Sequence, residues 1–343
     1  MPVKTPSTAA FPYEPARPEV GYRKPVRGSI VWWLRCIGVI AFVVVLLGLP
    51  QSRDAEVPKI DLRWLGVCML LTMLFLLVEA GVWQLLLRRQ RIPHPYPRTL
   101  VAHLASQYLG MVTPGHVGEF LAAGYISMNT GITFGYALSS VVMKKMLAWL
   151  TLMGFGIWGL QIVGQVTFAQ GVKGLAVGTG IVLVILAIGI SLWVLSLRRL
   201  ARKWRRLSPW QVDMTEFWAG MRQLASSSLL VPLGVAVAGF SILFLQLDAI
   251  LLSLGLALPF PVVAQILACS RLVARVIPLS ALGWGSKDAA VIGLLAQQGI
   301  SPAVGLTVTL LYLACTYLVT LLISGLCWWV KPLVLPHTKP AQP

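Results

Sequence analysis

Six stretches of this chain, at about 30 to 49, 63 to 87, 135 to 163, 174 to 197, 229 to 254 and 303 to 330, are apolar over roughly the 20 residues a helix needs to cross a bilayer. Nothing constrains the fold more. In hydrocarbon every backbone polar group must be satisfied inside the protein, and a helix does this within one segment. The expectation is an all-α polytopic membrane protein with six full spans. Two further apolar segments, about 99 to 128 and 262 to 298, are each interrupted by Pro, Gly and an acid. The interruptions read Thr113-Pro114-Gly115-His116-Val117-Gly118-Glu119 and Pro278-Leu279-Ser280-Ala281-Leu282-Gly283-Trp284-Gly285-Ser286-Lys287-Asp288. Each half is too short to cross singly, so these segments read as broken, re-entrant helical hairpins or pairs of short spans. Such breaks are tolerated only where protein or a water-filled cavity satisfies the freed backbone groups.

The formal charge of +17 would suggest nucleic acid in a soluble domain, but only 11% of residues are charged and the Lys and Arg cluster beside apolar runs. That pattern orients membrane spans and argues against a nucleic-acid partner. Residues 1 to 28 carry Lys4, Arg17, Arg23, Lys24 and Arg27 among six prolines, with no apolar run, and read as a disordered cytoplasmic tail. The loop from Arg53 to Asp61 is acid-rich and falls outside. The clusters Arg88 to Arg98 and Arg198 to Arg206 fall inside. Counting crossings between them, the segment 99 to 128 enters and leaves from the cytoplasmic side, and 262 to 298 does so from the outside. Lys331, Lys339 and the tail 332 to 343 return to the cytoplasm. The transmembrane domain is then 29 to 331, with a basic loop and a helix at 198 to 227. That helix starts at Ser208-Pro209-Trp210-Gln211 and places Met214, Phe217, Trp218, Met221 and Leu224 on one face. It lies in the membrane interface or packs on the bundle.

One offset recurs. Pro93 and Pro261 are 168 apart, as are Gly131-Ile132-Thr133 and Gly299-Ile300-Ser301, and the pairs Glu119/Asp288 and Glu79/Asp248 are 169 apart. The repeated unit is span, broken hairpin, span, at about 62 to 163 and 229 to 330. By the charge argument the first unit starts outside and the second inside. This is an inverted-topology internal repeat, a plan that recurs in secondary transporters with sites near the midplane.

Four acids lie within the apolar segments, and ionisable groups there are functional candidates by default. Glu119 and Asp288 follow the breaks, where half-helix ends offer backbone donors and acceptors to a ligand, with Pro114, Gly115, Gly118, Pro278, Gly283 and Gly285 shaping the turns. Glu79 and Asp248 have no break nearby and read as ion pairs that hold the repeats in register. Arg271 and Arg275 are one turn apart and suit bidentate contact with a phosphate, or pairing with Asp288 or Asp248. Lys287 precedes Asp288. Lys144 and Lys145 are adjacent, so one of them, Lys145, is assigned to the cavity and the other snorkels. His116 sits in the first break as a helix-end or titrating group; no histidines have metal spacing, and no metal or cofactor is expected. No nucleophile elbow, P-loop or zinc-protease motif occurs. Cys36, Cys68, Cys269, Cys315 and Cys327 read as packing residues. Trp32, Trp33, Trp328 and Trp329 read as interfacial anchors.

At its two interrupted motifs the chain resembles the flippase-like transmembrane region of lysylphosphatidylglycerol synthases, over roughly residues 30 to 330. Pro114 to Glu119 followed by Ala137 to Val142 matches one signature. Pro278, Ser280, Gly283, Gly285, Lys287 and Asp288 match the other. Members often carry Arg at His116, Glu-Arg at Lys144-Lys145 and Glu at Asp288, so an ion pair common in the family is absent or rebuilt here. The soluble aminoacyl-transfer domain of bifunctional members does not follow by residue 343, so the resemblance implies lipid translocation and not synthesis. The expectation is a non-enzymatic, flippase-like protein of a bacterial inner membrane, moving a phospholipid or lipid-linked glycan between leaflets. A lipid headgroup and the bilayer are its partners, with a lipid-synthesis enzyme or a second copy as further ones. The alternatives are a membrane-embedded enzyme or accessory subunit for polyprenyl-linked or hopanoid-type lipids, and a scaffold for a lipid-synthesis complex.

Overall fold

The computed structural model describes residues 60–162, 214–226, 229–276 and 286–331, and among these every regular element is a helix. In chain order they are α1 (Leu62–Arg89), α2 (Tyr96–Val112), a 3-10 segment (Pro114–Leu121), α3 (Ala122–Thr130), α4 (Phe134–Gly159), α5 (Met214–Ser226), α6 (Leu230–Ser253), α7 (Phe260–Val276), α8 (Ser286–Gln297) and α9 (Pro302–Val330). Four of them, α1, α4, α6 and α9, are long and apolar enough to cross a membrane. They coincide with four of the six expected spans. The spans at 30 to 49 and 174 to 197 lie outside the described residues, as do both tails, the basic cluster 198 to 206, and Pro278, Gly283 and Gly285 of the second break.

Local chemistry sets the helix ends. The Asp61 carboxylate accepts from the Arg63 amide at 2.9 Å to start α1, and Arg88 and Arg89 in its last turn complement the helix dipole. Gly131 (φ 73°) and Gly299 (φ 80°) adopt the left-handed conformation that ends α3 and α8. Two residues later Thr133 and Ser301 cap α4 and α9, each accepting from an amide three residues on at 3.4 Å. Stop and start thus recur together at the offset seen in the sequence.

Direction follows from contacts at the helix ends. α1 and α6 are antiparallel: the Asp61 amide donates to the Ser253 carbonyl at 2.8 Å, while Val82 and Leu86 near the far end of α1 pack with Leu229 and Leu233. The first hairpin opens at the Gln90 end, because Gln84 donates to the His94 carbonyl at 2.7 Å and Gln90 donates to the Ser139 hydroxyl at 2.6 Å. α9 finishes at that same end, where the Tyr125 hydroxyl donates to the Lys331 carbonyl at 2.6 Å. It therefore starts at the Ser253 end, where α7 also begins, and the second hairpin opens there. The two hairpins enter the bundle from opposite ends.

Each long closing helix packs on the opening arm of the other hairpin. Gly156 of α4 faces Leu272 of α7, and Gly325 of α9 faces the Tyr108 ring of α2, which stacks on Trp328 at 5.2 Å. The two glycines are 169 apart. Small residues permit this approach, which matters in lipid because dispersion contacts between helices replace the hydrophobic drive. In α9 a π-helical turn at Leu313–Leu318 interrupts the regular ladder, and the Thr72 hydroxyl of α1 lies 3.1 Å from the Cys315 carbonyl within it. The amphipathic helix α5 packs one face on the bundle, and its expected start at Ser208-Pro209-Trp210-Gln211 lies outside the described residues. Gly220 sits against Ser139, Leu224 is fully buried, and Gln223 donates to the Arg89 carbonyl at 3.1 Å, while Met214 and Trp218 face outward.

The loop between α1 and α2 carries a pH-sensitive contact. His94 is 5% exposed, with Nδ1 at 2.8 Å from the Thr99 hydroxyl, which in turn bonds Gln84. Burial, and then the charges of Arg98 and Lys331, hold its imidazole below the ordinary value. The unfolded chain therefore binds this proton more readily, so stability present above the ordinary imidazole range is lost as pH falls through it. The thermal unfolding midpoint is expected to drop on mild acidification, and His94→Gln to flatten that slope. An unchanged slope in the variant would assign the effect elsewhere.

A cationic cavity between two broken hairpins

The break in the first hairpin is stabilised from within. The Thr113 hydroxyl donates to the Leu109 carbonyl at 2.7 Å and accepts from the Gly118 amide at 2.8 Å, so one side chain satisfies groups on both sides of the interruption. Gly118 lies so close to the Leu109 carbonyl that any side chain would collide with it, and Gly110 leaves room for the stem of Glu119. The turn delivers Glu119, 8% exposed, to Lys145, with which it forms an ion pair. Lys145 is eleven residues into α4, about 17 Å along it at 1.5 Å per residue, so the break reaches the middle of the bundle.

There the helices line a partly open cavity of about 700 Å³, a size that accommodates a small ligand or headgroup. One wall comes from α1, α2, the 3-10 segment and α4. Glu79 of α1 meets the His103 Nε2 of α2 at 3.3 Å, and the His103 Nδ1 is 3.1 Å from the Lys144 Nζ. The other wall comes from α7, α8 and α9. The Arg271 guanidinium donates to the Tyr312 hydroxyl at 3.0 Å and lies 5.8 Å from the Phe240 ring, and Arg275 lies 5.6 Å from the Trp149 ring. Lys287, 4% exposed, sits 4.8 and 5.0 Å from the Tyr312 and Tyr317 rings and 3.6 Å from Asp288. Aromatic faces stabilise these cations without neutralising them. The Arg271 Nε and Lys287 Nζ are buried without a hydrogen-bond partner.

The lining holds five basic side chains, Lys144, Lys145, Arg271, Arg275 and Lys287, against two carboxylates, Glu79 and Glu119. Counted over the lining alone, the formal surplus is three positive charges from the α7–α8 wall, where Asp288 sits beside Lys287 just outside the lining. Among the described residues neither guanidinium has a carboxylate partner, so pairing of Arg271 or Arg275 with Asp248 or Asp288 is not what the structure builds. A cationic, aromatic-backed wall, with Lys287 buried and Arg275 exposed, favours a phosphate or another compact anion.

Several expectations change. Both Lys144 and Lys145 line the cavity, because one turns toward His103 and its neighbour toward Glu119, and both partners come from the same hairpin. Asp248 neither lines the cavity nor makes an ion pair among the described residues. On α6 the cavity is lined by Ala236, Gly239, Phe240, Leu243 and Gln246, and two residues beyond Gln246 is 200° around the helix. Of the two acids that follow the breaks, Glu119 lines the cavity, whereas the second hairpin presents Lys287 there and Asp288 sits beside it. Pro114, Gly115 and His116 lie in the 3-10 segment. Their side chains are outside the described residues. Sequence reasoning missed His103 and the aromatic backing of Trp149, Phe240, Tyr312 and Tyr317. Gln107 and Gln246 were detectable as polar residues inside apolar segments. Among the described residues no group of His, Cys, Asp and Glu could hold a metal ion.

A family model described as the lysylphosphatidylglycerol synthase TM region matches residues 32–324. No curated protein matches the chain, and no solved structure does.

Proposed function

We propose, from the premise that the chain belongs to the lysylphosphatidylglycerol synthase transmembrane-region family, that it is a membrane transporter moving an anionic phospholipid or phosphate-linked glycolipid between leaflets. The observation that carries this reading is the cavity of about 700 Å³ with a surplus of three positive charges, placed between hairpins that enter from opposite ends. A phosphate headgroup is the anion most available at that depth, and Arg271, Arg275 and Lys287 are its proposed contacts, with Glu119 and Lys145 opposite them. Asp288 orients Lys287 in this scheme, and Gly115 and Gly118 shape the turn beside the headgroup.

The antiparallel α1 and α6, the oppositely opening hairpins and the reciprocal packing of α4 on α7 and α9 on α2 all support an inverted repeat. With the segments at 30 to 49 and 174 to 197 this chain would have six spans, and the distribution of Lys and Arg favours a cytoplasmic side for the segments before the first and after the last of them, in a bacterial inner membrane. Alternating access then amounts to rocking one repeat against the other around a fixed site.

The test is a leaflet-accessibility assay on proteoliposomes with head-labelled phosphatidylglycerol and an impermeant quencher. Quenching is expected to go beyond the outer-leaflet pool in the presence of protein. Quenching that stops at the outer leaflet, as in protein-free vesicles, would reject lipid transfer.

A further inference from the structure

Three ionisable side chains from three helices form one connected line at the cavity wall. Glu79 meets the His103 ring at 3.3 Å, and the far nitrogen of that ring is 3.1 Å from Lys144. His103 and Lys144 are 2% and 8% exposed, whereas 25% of the Glu79 side chain is open and it lines the cavity. An imidazole held between an ammonium and a carboxylate has one neutral tautomer suited to both: Nδ1 accepts from Lys144, and Nε2–H faces Glu79 at 3.3 Å, a contact without hydrogen-bond geometry. In that state the line carries no net charge. It can hold one more proton, and the route to it is Glu79.

The charged groups facing the line are Lys145 of the same helix, Glu119 of the 3-10 segment and Arg271 of α7, with Arg275 and Lys287 across the cavity. On this wall α6 adds the uncharged Gln246 and α9 adds Tyr317.

We propose that Glu79, His103 and Lys144 form a proton-binding site linked to the occupancy of the cavity, so that an anionic headgroup binds together with one proton. This rests on the reading of the cavity as an anionic-lipid site. The proton arrives from cavity water and forms one O–H bond on the Glu79 carboxylate; no other bond changes. The line passes from neutral to one positive charge, and the surplus around the cavity rises from three to four. An anion is then held more tightly, and by reciprocity it raises the occupancy of the proton by the same factor. A headgroup of charge minus one then moves with no net charge, and the membrane potential does not oppose it.

The experiment is a calorimetric titration of the full-length protein in detergent with dihexanoyl phosphatidylglycerol. It is run near neutral pH in buffers of different ionisation enthalpy, which yields the protons taken up per lipid bound. Uptake approaching one proton is expected for the wild type and close to none for Glu79→Gln, with binding weakened but measurable. His103→Gln provides the same comparison if Glu79→Gln does not fold. Lipid binding without proton uptake by the wild type overturns the proposal, as does unchanged uptake in a folded Glu79→Gln or His103→Gln protein. Failure of the wild type to bind the lipid at all rejects the anionic-lipid reading itself, and this proposal with it.

Discussion

Gly159→Val is expected to destabilise the protein by about 3 kcal/mol, the upper part of the usual range for overpacking a tight interface. A Cβ at Gly159 would stand 2.8 Å from the Cys269 amide nitrogen and 2.9 Å from the Gln265 carbonyl oxygen. Both are backbone atoms of α7, so no rotamer change relieves the collision and the two helices must separate. α7 also carries Arg271 and Arg275, so the same displacement widens the cavity. Gly154, on the same helix, faces open space, and Gly154→Ala should hold or slightly raise stability through its better helix propensity. Thermal unfolding in detergent separates the two variants. A Gly159→Val midpoint equal to that of the wild type would mean that α4 and α7 do not meet as described.

Arg271→Gln combined with Lys287→Gln should slow transfer of head-labelled phosphatidylglycerol at least about tenfold. Hydrogen bonds to charged groups contribute roughly 1.5–3 kcal/mol each, and 1.4 kcal/mol already corresponds to a factor of ten. The double change leaves one of the three positive charges on the α7–α8 wall. Arg271→Lys keeps the charge but not the planar fork, and should fall between the two. Asp248→Asn is the control, because Asp248 lies away from the cavity and its neutralisation should leave the transfer rate unchanged. Wild-type transfer by the Arg271/Lys287 variant would rule out that wall as the headgroup contact. Slow transfer in Asp248→Asn would restore it to the site.

Much of the candidate site was legible in the sequence. Glu79, Glu119, Lys145, Arg271, Arg275 and Lys287 stood out because a charge within an apolar segment is costly and rare. All six line the cavity. The chemical pairing was not legible. Glu79 and Asp248 share the 169-residue offset, yet one joins a charged line and the other does not reach the cavity, because α1 and α6 are rotated differently toward it. His103 gave no signal on its own; its role depends on α1 and α4 converging on one ring from opposite sides.

The sequence by itself determined the class of protein and its helix boundaries. Apolar length decides what can cross a bilayer, and caps such as Asp61, Thr133 and Ser301 act within three residues of themselves, so both are local properties of the chain. Only the tertiary structure decided that α4 rests on α7 and α9 on α2, that Lys144 and Lys145 both face inward, and that the cationic surplus is concentrated on one wall. Those outcomes depend on which helix faces which and by how many degrees each is rotated. In lipid the surface of one apolar helix suits hydrocarbon as well as it suits another helix, so the choice falls to close packing at glycines such as Gly156, Gly159 and Gly325, and no single segment encodes its partner.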